Sequence, residues 1–281
     1  MNHLILGCGY LGRRVASLWL AQGNGVRAVT RKPDTSAKFR QLGIEPILAD
    51  ILQRNTLQSL PQVDTVLYAI GLDRSTGAAM RSVFVDGLAN VLDHLPRPQR
   101  FLYISSSSVY GQTGGEWVDE DAATEPQEAS GRIVLEAERL LRARLPEAII
   151  LRFGGIYGPG RLLRKKTVEA VEPIVGDADK WLNLVHVEDG AAAVIAAQQR
   201  GQPGRIYNIC DDQPVRRREF YEELARRLEA PPPRFVPPSP NQPPPPHELA
   251  NRRIHNRRMH DELGVTLRSS NYLEGLTYSL D

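Results

Sequence analysis

The stretch Asn2-His3-Leu4-Ile5-Leu6-Gly7-Cys8-Gly9-Tyr10-Leu11-Gly12, followed directly by Arg13-Arg14-Val15-Ala16-Ser17-Leu18-Trp19, decides the fold. A short apolar run, a Gly-x-Gly-x-x-Gly turn and apolar residues at 11, 15, 18 and 19 spell strand, tight turn and helix. Each glycine has its own task. Gly7 permits the turn, Gly9 lets backbone approach a pyrophosphate, and Gly12 allows close packing of helix on strand. The helix opens with free N–H groups and the positive end of its dipole, a setting for phosphate beside Tyr10 and Leu11. Gly23-Asn24-Gly25 closes the helix before a second strand over 26–30.

The end of that second strand selects among dinucleotides. A carboxylate there accepts from the ribose 2′-OH of NAD, whereas an arginine accommodates a 2′-phosphate. The chain carries Thr30-Arg31-Lys32-Pro33 and no acid among them. Arg31 can grip a phosphate bidentately and Lys32 adds a point charge, so NADP(H) is the expected cofactor and NAD the alternative. The other reading of these residues is a solvated basic loop.

Outward from this unit, strand-like runs at 4–6, 26–30, 46–49, 65–70, 100–105 and 148–153 alternate with helical stretches such as 78–95 and 129–144. That alternation predicts an α/β, Rossmann-type doubly wound parallel sheet. Asp50 ends the third strand, as an acceptor for an adenine amino group or as a helix N-cap. From Gly201 the texture changes: a strand at 207–210, a charged helix at 216–229, a proline-dense stretch at 231–246 and a basic cluster at 251–259. Proline excludes regular helix and central strand from 231–246, leaving an ordered or semi-rigid loop or a Pro-rich recognition segment. The expected division is a dinucleotide-binding domain at 1–155, to which 181–200 returns, and a smaller C-terminal substrate lobe at 156–180 and 201–281.

Composition narrows the function classes. The 281 residues hold 35 Lys+Arg against 33 Asp+Glu, a balance that gives no whole-chain case for nucleic acid or membrane binding. Cys8 and Cys210 stand far apart in apolar settings and read as reduced core residues rather than a disulfide or metal pair. The opening is too short and too quickly glycine-rich for a signal peptide, and no apolar run spans a bilayer. A cytoplasmic monomer or homodimer acting on a small molecule, with no metal, is the resulting expectation.

Several segments in the same order resemble the extended and atypical short-chain dehydrogenase/reductases, the group of nucleotide-sugar epimerases and dehydratases. Ile104-Ser105-Ser106-Ser107-Ser108-Val109-Tyr110-Gly111 is similar to that group's fifth strand and the Val-Tyr-Gly after it. Leu151-Arg152-Phe153 with Tyr157-Gly158-Pro159-Gly160 resembles its Leu-Arg…Tyr-Gly-Pro-Gly segment, and His186-Val187-Glu188-Asp189 its His-Val-x-Asp helix entry. Tyr207-Asn208-Ile209 and the Asn-Arg-Arg-Ile…Glu-Leu-Gly pattern near the end continue the match. The glycine loop departs slightly, with Leu6 where these epimerases carry another glycine.

The resemblance implies hydride chemistry resting on a Ser/Thr and a Tyr-x-x-x-Lys, and one half of that set is missing. Gly131, Ala137 and Glu138 match the family's helix after the fifth strand, which puts Ser130 in the Tyr slot and Val134 in the Lys slot. No lysine lies between Lys38 and Lys165, so no displaced Tyr-x-x-x-Lys exists on this helix. A phenol titrates near 10 and a neighbouring ammonium draws it towards neutrality. An aliphatic hydroxyl beside valine cannot do this. Ser106 matches the catalytic Ser/Thr, or is a strand-end serine satisfying backbone. Asp86 lies near the family's active-site Asn, or is a helix-surface acid. Tyr157 and His186 are further candidate acids, or, for His186 at a strand end, a hydrogen-bonded structural residue. The expected activity is a NADP(H)-dependent epimerase, dehydratase or reductase with a non-standard acid; the rival is a non-catalytic NADP(H)-binding sensor.

Overall fold

A computed structural model describes residues 1–238 and 248–280, and every structural statement below concerns those residues. The chain runs β1 (Asn2–Leu6), α1 (Tyr10–Ala21), β2 (Gly25–Thr30), α2 (Pro33–Gln41), β3 (Glu45–Leu48) and β4 (Thr65–Tyr68). A π-helical turn (Ser82–Asp86) leads into α3 (Gly87–His94), followed by β5 (Arg100–Ser106), β6 (Glu116–Val118), α4 (Ala129–Arg144) and β7 (Ile149–Phe153). Next come β8 (Gly155–Tyr157), α5 (Lys165–Glu169), β9 (Ile174–Val175), β10 (Trp181–Leu182), β11 (Leu184–His186) and α6 (Val187–Arg200). The last elements are β12 (Ile206–Ile209), β13 (Val215–Arg216), α7 (Arg217–Arg227), β14 (Phe235–Val236), β15 (Arg252–Ile254), α8 (Arg257–Leu263) and α9 (Tyr272–Thr277).

Seven strands form one parallel sheet in the order β12-β7-β5-β4-β1-β2-β3. Strand alternation explains why both faces are dry. In β1, Ile5 faces the α1 and α6 side with Val15, Trp19 and Val194, while Leu4 and Leu6 face the α3 and α4 side with Leu88 and Leu141. All three strand residues are fully buried. The order reverses between β1 and β4, which opens a crevice at the carboxyl ends of these strands. The expected doubly wound sheet is present, with all six strands read from the first 155 residues.

The expected partition of the chain needs one correction. Residues 206–209, assigned to the smaller lobe, form β12 at the edge of the main sheet, paired with β7 from Ile206↔Ile150 to Ile209↔Phe153. Tyr207, Asn208 and Ile209 are buried, the continuous pattern of a strand covered on both faces rather than an alternating one. Met259 and Leu263 of α8 also join the core on the α6 side. A separate apolar cluster holds the lobe together, with Tyr157, Ile174, Leu184, Phe220, Leu224 and Leu276 at its centre. The start of the proline-dense stretch supplies β14, a two-residue strand pairing with β9 away from the main sheet, a place where flanking prolines are tolerated. The rest of that stretch, 239–246, lies outside the described residues.

Candidate functional site

A cleft of about 620 Å³ lies at the carboxyl ends of β1, β2, β4 and β5. It gathers Gly7, Gly9, Tyr10, Leu11 and Gly12 from the first turn, Thr30, Arg31 and Lys32 from the end of β2, Asp50 from beyond β3, and Ser106 from the end of β5. These ten positions, scattered over a hundred residues of sequence, therefore share one wall. Asp86, Ser130, Tyr157 and His186 do not line it.

The glycine loop has the shape a diphosphate needs. Gly7 takes φ +94°, and a Cβ there would sit 2.3 Å from the Ala69 carbonyl oxygen, so only glycine closes this turn. Gly9 is different: a Cβ there would meet nothing within 4 Å. The protein leaves this space open on the cleft side of a backbone that could have carried a side chain. Gly9 caps α1 without any side-chain hydrogen bond, and no acid occupies the first turn. The N–H groups of that turn thus remain free for an anion. Tyr10 is fixed by its hydroxyl donating to the Pro159 carbonyl at 3.0 Å and by Arg14 and Arg161 over its ring. Arg161 also lines the cleft. It was not singled out from sequence, although its place one residue past Gly158-Pro159-Gly160 was a usable signal.

At the far side of the loop, the Thr30 hydroxyl accepts from the Lys32 N–H at 3.2 Å and shapes the end of β2. Arg31 Nη2 lies 3.5 Å and Lys32 Nζ 4.0 Å from one oxygen of Asp73, in the loop after β4. Nothing near Arg31 in sequence announces this acid, because β4 brings it from 42 residues away. Asp50 accepts from the Leu52 N–H at 2.9 Å, so one of its oxygens caps a turn while the residue remains on the cleft wall. Cys8 also lines the cleft, and burial pushes its thiol up to about 12, which keeps it an inert thiol.

The other end of the cleft is apolar. Val83, Phe84, Val134 and Ile156 contribute to the wall on which Ser106 stands. The Ser106 hydroxyl accepts from the Ser108 N–H at 3.1 Å and keeps its own proton to donate. Ser130, at the start of α4, donates to Glu128 at 3.2 Å, away from the cleft, while Val134 one turn later lines it. Asp86 is half exposed and accepts from Arg81 at 3.0 Å. It ends the π-helical turn, whose cleft-lining residues are Val83 and Phe84, so of its two sequence readings the geometry fits the helix-surface acid and not the active-site one. Tyr157 sits in the lobe core, edge-on to His186 with ring centres 5.6 Å apart, and burial raises its hydroxyl far above the usual phenol range. His186 is lowered chiefly by burial, and its Nδ1 accepts from the Glu188 N–H. Both belong to the packing of the lobe on α6.

Behind Ser106 a buried polar network joins four elements. Arg152 of β7 donates to both oxygens of Glu138 on α4, at 3.0 and 2.7 Å, and to the Tyr110 hydroxyl at 3.1 Å. Ser105 donates to Glu138 at 2.5 Å, and Tyr110 to Asn208 of β12 at 2.8 Å. Burial disfavours the Arg152 charge, but the Glu138 hydrogen bonds and charge outweigh it and hold the guanidinium protonated. Among the described residues no cluster of three or more His, Cys, Asp or Glu side chains could hold a metal ion, and no helix is long and apolar enough to cross a membrane.

A doubly wound sheet with a glycine-loop cleft at its switch point defines a dinucleotide-fold protein. The model of the NAD dependent epimerase/dehydratase family matches residues 3–210, and the chain belongs to that family. It is 30% identical over 240 residues to Protein YeeZ of Escherichia coli K12, covering 82% of this chain and 85% of that protein. A ketoreductase of Stigmatella aurantiaca, acting on a 4-hydroxy-2-methyl-3-oxo-4-farnesyl-3,4-dihydroquinoline-1-oxide, is 27% identical over 232 residues, with 76% of this chain and 69% of that one covered. Among solved structures, a conserved protein of unknown function from Silicibacter pomeroyi superposes with a TM-score of 0.80 at 30% identity, over 98% and 96% of the two chains. UDP-glucuronic acid 4-epimerase of Bacillus cereus, solved in complex with NAD, shares the fold with a TM-score of 0.77 at 20% identity, over 99% and 97%.

Proposed function

We propose that the protein is a NADP(H)-dependent epimerase, dehydratase or reductase acting on a small carbonyl or hydroxyl compound, nucleotide-sugar-like or simpler. The observation that carries this reading is the single cleft running from Arg31 past the open face of Gly9 to Ser106. Gly9 and the first turn of α1 would take the pyrophosphate, Arg31 and Lys32 the 2′-phosphate, and Asp50 the adenine edge. When bound, the nicotinamide supplies hydride donation and acceptance. Ser106, with its donor proton uncommitted, orients the substrate oxygen. The Tyr/Lys pair of the family is absent, so the proton must come from the substrate itself, from water or from a residue that closes over the cleft. The family relatives include a ketoreductase and a neighbour solved with NAD, which supports a nicotinamide cofactor.

A second reading, cofactor binding without catalysis, is favoured by the apolar wall of Val134 and Ile156, with Val134 in the slot where the resemblance puts the family's lysine. Deuterium transfer separates the two. As a reductase the protein should put label from 4-deuterated NADPH into the product of at least one member of a carbonyl panel; as an epimerase or dehydratase it should return deuterium taken from a labelled substrate to the product, and either transfer should be lost in Ser106→Ala. Tight NADPH binding with no transfer to any member, and a cofactor-bound crystal structure with only apolar side chains around the nicotinamide C4, would overturn it in favour of the second reading.

A further inference from the structure

Asp73 stands on the adenosine side of the cleft and opposes the charge of Arg31 and Lys32. Three observations define its position. One carboxylate oxygen faces Arg31 Nη2 at 3.5 Å and Lys32 Nζ at 4.0 Å. The other is held by the Ser75 N–H at 3.2 Å and the Ser75 hydroxyl at 2.6 Å, which anchors the side chain in its loop. The loop itself is pinned by the Thr76 hydroxyl donating to the Asp73 carbonyl at 2.8 Å. Arg31, Lys32, Asp73 and Thr76 all line the cleft.

We infer that Asp73 is a specificity-determining residue, an intramolecular stand-in for the 2′-phosphate that occupies the Arg31/Lys32 clamp until a phosphorylated ribose displaces it. This rests on the reading of Arg31 and Lys32 as a 2′-phosphate site. A 2′-phosphate carries nearly two negative charges and three acceptor oxygens, whereas Asp73 offers one charge at the outer limit of hydrogen-bond distance. The stronger anion therefore wins the clamp. Asp73 remains anchored by Ser75, so its carboxylate stays close to the incoming phosphate and repels it. A ligand with a free 2′-OH meets the opposite situation: the same carboxylate is an acceptor for that hydroxyl, the task usually performed by an acid at the end of the second strand. Asp73 thus narrows a preference for NADP(H) that the arginine alone would make wide, and it comes from β4 rather than β2.

The pair is more than a third exposed on both sides, so the expected effects are moderate. Calorimetry on the full chain with NADP⁺, NAD⁺, adenosine 2′,5′-bisphosphate and AMP tests the inference. Asp73→Asn keeps the acceptor for Ser75 and should tighten both 2′-phosphorylated ligands by about three- to tenfold, the range for losing one like-charge contact at a wet site. NAD⁺ and AMP should bind equally well or more weakly, and the gain should shrink as salt is raised. Asp73→Ser, which also caps the turn, should reproduce the pattern if a folding defect obscures the first variant. Equal tightening of all four ligands, or none, would overturn the role of Asp73. Arg31→Ala distinguishes that failure from a failure of the clamp itself. If it lowers affinity for NADP⁺ alone, the clamp stands and only Asp73 is misassigned; if it leaves the NADP⁺/NAD⁺ ratio unchanged, both fall together.

Discussion

The two ends of the cleft are made by the same sheet from the same kind of strand-end turn, yet they carry different equipment. At the glycine loop the groups that would hold a phosphorylated dinucleotide stand together: a turn only glycine can make, an open face at Gly9, Arg161 on the wall, and Arg31 and Lys32 at the end of β2. At the Ser106 end the frame is complete but the reagents are not. Arg152, Glu138, Tyr110, Ser105 and Asn208 still lock β5, α4, β7 and β12 together behind the serine. The helix they position presents Val134 to the cleft and turns Ser130 to Glu128. A frame built on a buried ion pair thus stands behind a cleft wall that presents a serine and a valine rather than a charged side chain.

The largest effect should come from breaking that frame. Glu138→Ala leaves the Arg152 guanidinium buried, with side-chain exposures of 4% and 2% for the pair, and without its counter-charge. The expected cost is about 3–5 kcal/mol, read by denaturant unfolding, with a fall in Tm on the order of 10 °C. Glu138→Gln should cost less, because it keeps an acceptor for Arg152. An unchanged midpoint for Glu138→Ala would mean that the network contributes nothing to rigidity and that the two ends differ less than their hydrogen bonds imply.

At the opposite end, Gly9→Val should separate binding from folding. A Cβ there meets no heavy atom within 4 Å, so circular dichroism and Tm should stay close to the unmodified protein. The same side chain fills the space a pyrophosphate would enter, and NADP(H) affinity should fall by about a hundredfold or more, the scale of losing two charge-assisted hydrogen bonds. Retained affinity would reduce the loop to a structural turn. Next in size is Arg31→Asp, which replaces a phosphate clamp by an acceptor for a ribose hydroxyl. NADP⁺ should weaken by about tenfold or more relative to NAD⁺, reversing the preference. Equal dissociation constants for the two cofactors in the unmodified protein would sink the assignment before any variant is made.

The same contrast explains what could be read from sequence. The glycine loop and the end of β2 are local: strand, turn and helix follow one another within twenty residues, and Arg31 stands next to the strand that places it. Six strands of the main sheet were legible for the same reason, through apolar runs punctuated by glycine. β12 was recognised as a strand but given to the wrong layer, because a short strand of Tyr207-Asn208-Ile209 carries no sign of the partner it pairs with 56 residues earlier. Asp73 escaped notice for the equivalent reason at the site: its partner Arg31 is 42 residues away and the pairing exists only once β4 lies beside β1. Asp86, which the sequence leaves open between an active-site and a helix-surface acid, marks the same limit. Its spacing from the family pattern was close, and a π-helical turn decides which residues of that segment reach the wall.

The smallest expected effect is the most informative about chemistry. The resemblance puts Ser130 in the slot of the family's tyrosine, but its hydroxyl donates to Glu128 at 3.2 Å and does not reach the cleft. Ser130→Ala removes one half-buried hydroxyl and should change kcat/KM with any substrate found by deuterium transfer less than about twofold, since an interaction absent from the transition state contributes nothing to it. Ser130→Tyr combined with Val134→Lys places a phenol and an ammonium one helical turn apart on α4, with the lysine on the cleft wall. If the remaining frame is intact, that double variant should gain carbonyl reduction over the parent, and the gain should vanish when Ser106→Ala is added. A fall of about a thousandfold in Ser130→Ala alone, the size of losing an essential acid or base, would show that Ser130 moves into the cleft during turnover and that the chemical end is equipped after all.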